Sequence, residues 1–147
     1  MFYNVFENCY ATGEIKGTNN VGGLVGINNI TATIRNCAAL NNVITATNGT
    51  TINRILAGGA ATLQNNYAYE DMDVNGSKVI STNAASANGL DISKSDTTEQ
   101  TTYEDSLGWV FNVTSGPWKW GGDFSLYTLP VLYWQTTYPE LPVHLNE

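Results

Sequence analysis

Three short markers, repeated in one order at one period, constrain this chain more than any other feature of its sequence. "FENCYA" from Phe6, "IRNCAA" from Ile34 and "LQNNYA" from Leu63 superpose, and their shared asparagines, Asn8, Asn36 and Asn65, stand 28 and 29 residues apart. Ile15, Ile44 and Val74 recur at nearly the same distance, and Leu24-Val25 corresponds to Ile55-Leu56. This is an internal repeat. Helical repeats need apolar positions at three- and four-residue spacing, whereas these units are short runs of Thr, Val and Ile punctuated by Gly and Asn, the pattern of short strands. About three strands with their turns fill one period. That length makes one coil of a parallel β-solenoid, with equivalent strands stacked about 4.8 Å apart.

Stacking like on like gives each repeated position a role. Phe6, Ile34 and Leu63 are expected as an internal apolar column, and Ala11, Ala39 and Ala68 as a small-residue column where the cross-section is tight. Asn8, Asn36 and Asn65 are expected as a structural ladder, since Asn tolerates left-handed backbone angles and its amide can bond to the copy above. The stretch "NVGGLVGINN" is apolar at Val21, Leu24, Val25 and Ile27, yet carries Gly22, Gly23 and Gly26. Glycines weaken a strand unless another backbone comes close, which stacked coils require.

The repeat fades after Gly76. Residues 81–106 are polar and read as an excursion with turns at Asn88 and Gly89 and room for a short helix between Ser95 and Ser106, with Gly108 just past its end. From Leu107 onward the chain holds all four tryptophans, bulk suited to covering the apolar end of a solenoid. The expected fold is all-β: a parallel β-solenoid of about three coils over residues 1–80, the excursion over 81–106, and an aromatic C-terminal cap over 107–147, packed as one domain.

Composition narrows the function classes. Only 13% of the 147 residues are charged, about half the usual globular share, and much of the non-apolar remainder is Asn, Thr, Ser and Gly. Net charge is −7 with six Lys and Arg in total and no basic cluster, so phosphate backbones and anionic lipid heads are repelled. Nucleic acid and membrane insertion are not expected. The start "MFYNVFEN" lacks the basic and apolar regions of a signal peptide, so an export signal would lie outside this chain.

"VGGLVG" resembles the GLUG motif, Gly-Leu-any-Gly, matched by Gly23, Leu24, Val25 and Gly26; "NCYATGEI", "NNYAYEDMDVNG" and the ending "LGWVF", "WKW" and "LPVLYW" are similar to segments that accompany it in large repeat proteins of bacterial surfaces. The resemblance implies a parallel β-solenoid, right-handed by family default, placed outside the cytoplasm, often adhesin-like, with no catalytic residue. The second copy departs from the motif as "ILAG", and the third has no glycine motif.

Candidate chemistry is sparse. Cys9 and Cys37 share a repeat position and read as free thiols in a ladder of small buried groups, the third copy having Asn66 there; with His144 they make no zinc site by spacing. Asp71 and Asp73 in "EDMD", the densest carboxylate group, are a weak calcium candidate and an acid pair that would suit an enzyme acting on polysaccharide, but no Lys or Arg base accompanies them at an equivalent place. Trp118, Trp120, Tyr127, Tyr133 and Trp134 could bind a glycan if exposed in a row; buried, they leave a scaffold. The expectation is a non-enzymatic structural or adhesive repeat module of a larger secreted or surface-attached bacterial protein, without cofactor. Its first coil would be covered by upstream repeats or by a second copy. Carbohydrate binding is the alternative, and a host glycan or protein is the kind of ligand implied.

Overall fold

A computed structural model describes residues 4–48, 51–111, 116–123 and 125–146. The protein is mostly strand, and it divides into two compact units, Met1–Ser93 and Lys94–Glu147. Among the described residues no helix is long and apolar enough to cross a membrane.

In the first unit the chain visits four sheets in turn and then visits them again. One sheet takes β1 (Asn4–Glu7), β5 (Val25–Arg35) and β9 (Leu56–Gln64); a second takes β2 (Tyr10–Ala11), β6 (Ala38–Ala39) and β10 (Tyr67–Tyr69). A third takes β3 (Ile15–Gly17), β7 (Val43–Ala46) and β11 (Asp73–Val74), and β4 (Val21–Gly22) pairs with β8 (Ile52–Asn53). All these pairings are parallel, and each strand lies beside its own repeat. Phe6 pairs with Ile34 and Ile34 with Leu63; Ala11 pairs with Ala39 and Ala39 with Ala68; Ile44 lies between Ile15 and Val74; Val25 pairs with Leu56.

Side chains on the middle rung are the most enclosed. Ile34, Ala38, Ala39, Leu40 and Ile44 are fully buried, with Ile55, Ala68 and Met72 on the next rung. Phe6 departs from the expected internal column: it is 41% exposed, whereas its partner Ile34 has no exposed surface. The reason is position, since Ile34 is flanked by strands on both sides and β1 has β5 on one side alone among the described residues.

Residues 81–93 hold an addition that the periodicity does not disclose. β13 (Leu90–Ile92) lies parallel to β10, with Tyr67 opposite Leu90, and so adds a fourth strand to the second sheet. The offset is 23 residues, shorter than the 28 and 29 that separate the asparagines, because the chain omits the long strand that β5 and β9 provide. Just before it, β11 turns back on itself to pair antiparallel with β12 (Ser77–Lys78) through Asn75 and Gly76, both at positive φ.

The second unit begins with α1 (Lys94–Thr97) and a π-helical turn over Thr102–Ser106, and Gly108 follows at φ +70°. β14 (Trp118–Trp120) and β15 (Pro130–Leu132) pair antiparallel. Its core is aromatic: Trp109 stacks on Trp118 at 4.6 Å between ring centres, and Tyr103 packs against Trp109 at 5.2 Å and Trp120 at 5.9 Å. Tyr103 is fully enclosed and donates its hydroxyl proton to the Thr97 carbonyl at 2.7 Å, so burial raises its pKa.

Candidate functional site

The glycine-rich corner between β4 and β5 brings the backbones of successive repeats into direct contact. Val21, Gly23 and Val25 donate their N–H groups to the carbonyls of Thr51, Asn53 and Ile55 at 3.1, 3.2 and 2.9 Å, an unbroken run of bonds through the bend. A Cβ on Gly23 would run into the Arg54 carbonyl and the Asn41 side chain, so the close approach excludes every other residue type. Leu24, Val25 and Gly26 are half-buried, and Asn41 is fully buried, its amide donating to the Gly13 carbonyl at 2.7 Å.

At other corners, side-chain amides tie one rung to the next. Asn8, Asn36 and Asn65 take φ of 54°, 54° and 51°, and Asn65 Nδ2 donates to Asn36 Oδ1 at 3.0 Å. Asn66 donates Nδ2 to the Ile34 carbonyl at 2.8 Å and accepts from the Cys37 N–H at 3.2 Å; Asn75 accepts from the Ala46 N–H at 2.8 Å. Asn66 and Asn75 satisfy backbone groups left open where the strand ladder breaks at a corner, while Asn65 binds the side chain of Asn36.

Arg54 has no exposed surface, and nothing in the repeat pattern pointed to its role. Its Nε donates to the Asn88 carbonyl at 3.0 Å, one terminal nitrogen to the Tyr69 carbonyl at 3.2 Å, and the other to Asp91 Oδ1 at 2.6 Å. Asp91 also accepts from the Ser81 N–H at 3.1 Å. Arg54 sits in a stretch that reads as a plain repeat marker, and Asp91 lies in the off-period segment, so neither pattern could have paired them.

The acidic residues are occupied by local structure. Asp71 makes an ion pair with Lys78 at 2.6 Å, and Asp73 accepts from the Gly76 N–H across the turn. The bond to Asp71 raises the Lys78 pKa. Among the described residues no group of three or more His, Cys, Asp or Glu side chains converges to hold a metal ion.

The five candidate aromatics separate by exposure. Trp120 and Tyr127 are buried at 9% and 6% exposure and Trp118 is half-buried, while Tyr133 and Trp134 are 46% and 74% exposed. They do not form one exposed row. An open hollow of about 640 Å³ in the same unit is lined by Lys94, Thr98, Leu126, Leu141 and Leu145 among others, without a carboxylate or imidazole.

Cys9 is exposed and Cys37 buried, and they are unbonded. Cys9 Sγ donates to the Glu7 carbonyl at 3.2 Å and Cys37 Sγ to the Arg35 carbonyl at 3.1 Å. The neighbouring Cys37 thiol lowers the pKa of Cys9 to about 7, and the Cys9 thiol, with burial, pushes Cys37 up.

Comparison with curated proteins gives no match, and comparison with solved structures gives none. A scan against family models matches residues 17–44 to the GLUG motif. The matched stretch starts in β3 and ends in β7, so it contains the whole glycine corner and the long strand that leaves it. The chain therefore carries a GLUG motif, and Gly23 and Val25 within it bond its corner to the next repeat.

Proposed function

We propose that the first unit is a short parallel β-solenoid, right-handed as parallel crossovers almost always are, and that the chain is a non-catalytic structural or adhesive repeat module of a larger secreted or surface-attached bacterial protein. The observation that carries this reading is the register: equivalent residues of successive repeats pair side by side in three sheets at once. Such a stack grows by adding rungs. The first rung offers Val5 and Phe6, 51% and 41% exposed, and its partner is a further rung, supplied by preceding sequence or by a second copy. The sparse charge and amide-rich surface suit an extracellular setting.

Light scattering over a concentration series, paired with hydrogen exchange, tests the open rung. The expected result is fast exchange in β1 to β3 for the monomer and protection on association, with Phe6→Lys abolishing association. A strict monomer with protected β1 to β3 amides would overturn it. For location, an antibody against residues 4–48 should label intact cells that express the full protein; labelling that requires permeabilisation would count against a surface role.

A second reading is supported by the exposure of Tyr133 and Trp134, whose rings could stack on sugar faces. Glycan-array binding lost in Trp134→Ala would support it, and absence of any binder would remove it.

A further inference from the structure

Cys9 and Cys37 occupy equivalent corners of adjacent rungs. Each follows an asparagine held at φ 54° and precedes a short strand, β2 or β6. Those strands pair in parallel, Tyr10 with Ala38, and the Ala38 N–H donates to the Cys9 carbonyl at 2.9 Å. The two cysteines are thus one strand spacing apart, about 4.8 Å, inside the range of roughly 4.4–6.8 Å between Cα atoms that a disulfide spans. Neither lies within a strand, so the pleat does not fix the direction of its side chain.

The two sulfurs differ in access. Cys9 is open to solvent, while Cys37 is buried with its sulfur 3.1 Å from the Arg35 carbonyl oxygen and 3.7 Å from that of Phe6. An exposed thiol with a sheltered thiol beside it is the arrangement of an attacking and a resolving cysteine.

We propose that Cys9 and Cys37 form a reversible oxidation site, which a low-molecular-weight disulfide converts into an intramolecular bond joining the first two rungs. The Cys9 thiolate attacks one sulfur of the reagent RSSR, forming a mixed disulfide and releasing RS⁻, which takes a proton from water. Cys37 then gives its proton to solvent and attacks the Cys9 sulfur; the mixed bond breaks and a second RS⁻ leaves, to be protonated. The protein loses two hydrogens with their electrons, and the reagent becomes two RSH. The adjacent Cys37 thiol favours the first step by stabilising the Cys9 thiolate. Once Cys9 is capped, that thiolate no longer opposes ionisation of Cys37, which eases the second.

The test uses the full chain, reduced, desalted and incubated anaerobically with excess oxidised glutathione, then read by intact mass and peptide mapping. The expected product is about 2 Da lighter than the reduced protein, has no free thiol and contains a Cys9–Cys37 linked peptide. Dithiothreitol should reverse it, and the oxidised form should unfold with an equilibrium constant lower by roughly 100-fold. Cys37→Ser should stop with one glutathionyl group on Cys9. A wild-type protein that keeps a glutathionyl group on Cys9 beside a free Cys37, forms disulfide-linked dimers, or does not react would overturn the proposal. The wild-type map decides even if a variant fails to fold.

Discussion

At the scale of residues, five asparagines do work that other L-residues perform at a cost. Asn8, Asn20, Asn36, Asn65 and Asn75 all take φ between 51° and 54°, where a Cβ crowds the following carbonyl oxygen. Asn65 adds its bond to Asn36. Asn65→Ala should therefore lose about 2 kcal/mol in urea unfolding, and Asn65→Gly, which relieves the backbone angle but not the lost amide, about half of that. Equal losses would mean that the amide and not the angle is what Asn supplies. Cys9 offers a pH test. Its pKa is lowered from 9.0 to about 7 by the Cys37 thiol beside it, so its reactive thiolate is present at lower pH than usual. Iodoacetamide alkylation of Cys9 should rise with a midpoint near pH 7, and Cys37→Ala, which leaves no donor, should move that midpoint up toward 9.

At the scale of elements, the strands are too short to hold themselves. β2, β4 and β6 have two residues each, so their stability comes from the strands above and below and from side-chain amides at the corners. β13 depends in addition on Arg54, whose guanidinium reaches Asp91 from the interior. The Asp91 side chain is 23% exposed and Arg54 not at all, so removing Asp91 strands a buried cation. Asp91→Ala should cost about 3–5 kcal/mol, and Asp91→Asn less because a hydrogen-bond acceptor remains. Hydrogen exchange should place the early loss of protection at Leu90–Ile92; uniform loss across the first unit would refute a local role.

At the scale of the whole molecule, two units rest on two kinds of core. The first buries small aliphatic side chains between stacked backbones, and the second buries rings. Trp109 is 2% exposed and stacked on Trp118, whereas Trp134 is 74% exposed. Trp109→Ala should therefore cost about 3–5 kcal/mol and collapse the near-ultraviolet circular dichroism, while Trp134→Ala should stay within about 0.5 kcal/mol. A large loss from Trp134→Ala would mean that this ring is covered in solution, and the glycan reading would lose its support.

The repeat was legible because parallel stacking places equivalent residues in one environment rung after rung, and a shared environment leaves shared letters. Ile15 and Ile44, Ala39 and Ala68, and Asn8, Asn36 and Asn65 could all be aligned by eye, and in the fold the repeated strands lie in register. The aromatic composition of the C-terminal third was equally plain, but not which rings face inward, because Trp120 and Trp134 carry the same letter. Three features needed the tertiary structure. Phe6 is exposed because it lies on the first rung; β13 joins the stack at an offset of 23 residues; Arg54 finds Asp91 across 37 residues of chain. Periodicity records what successive rungs have in common, whereas an edge, a shortened repeat and a buried charge pair are each made once, by contacts that no second copy repeats.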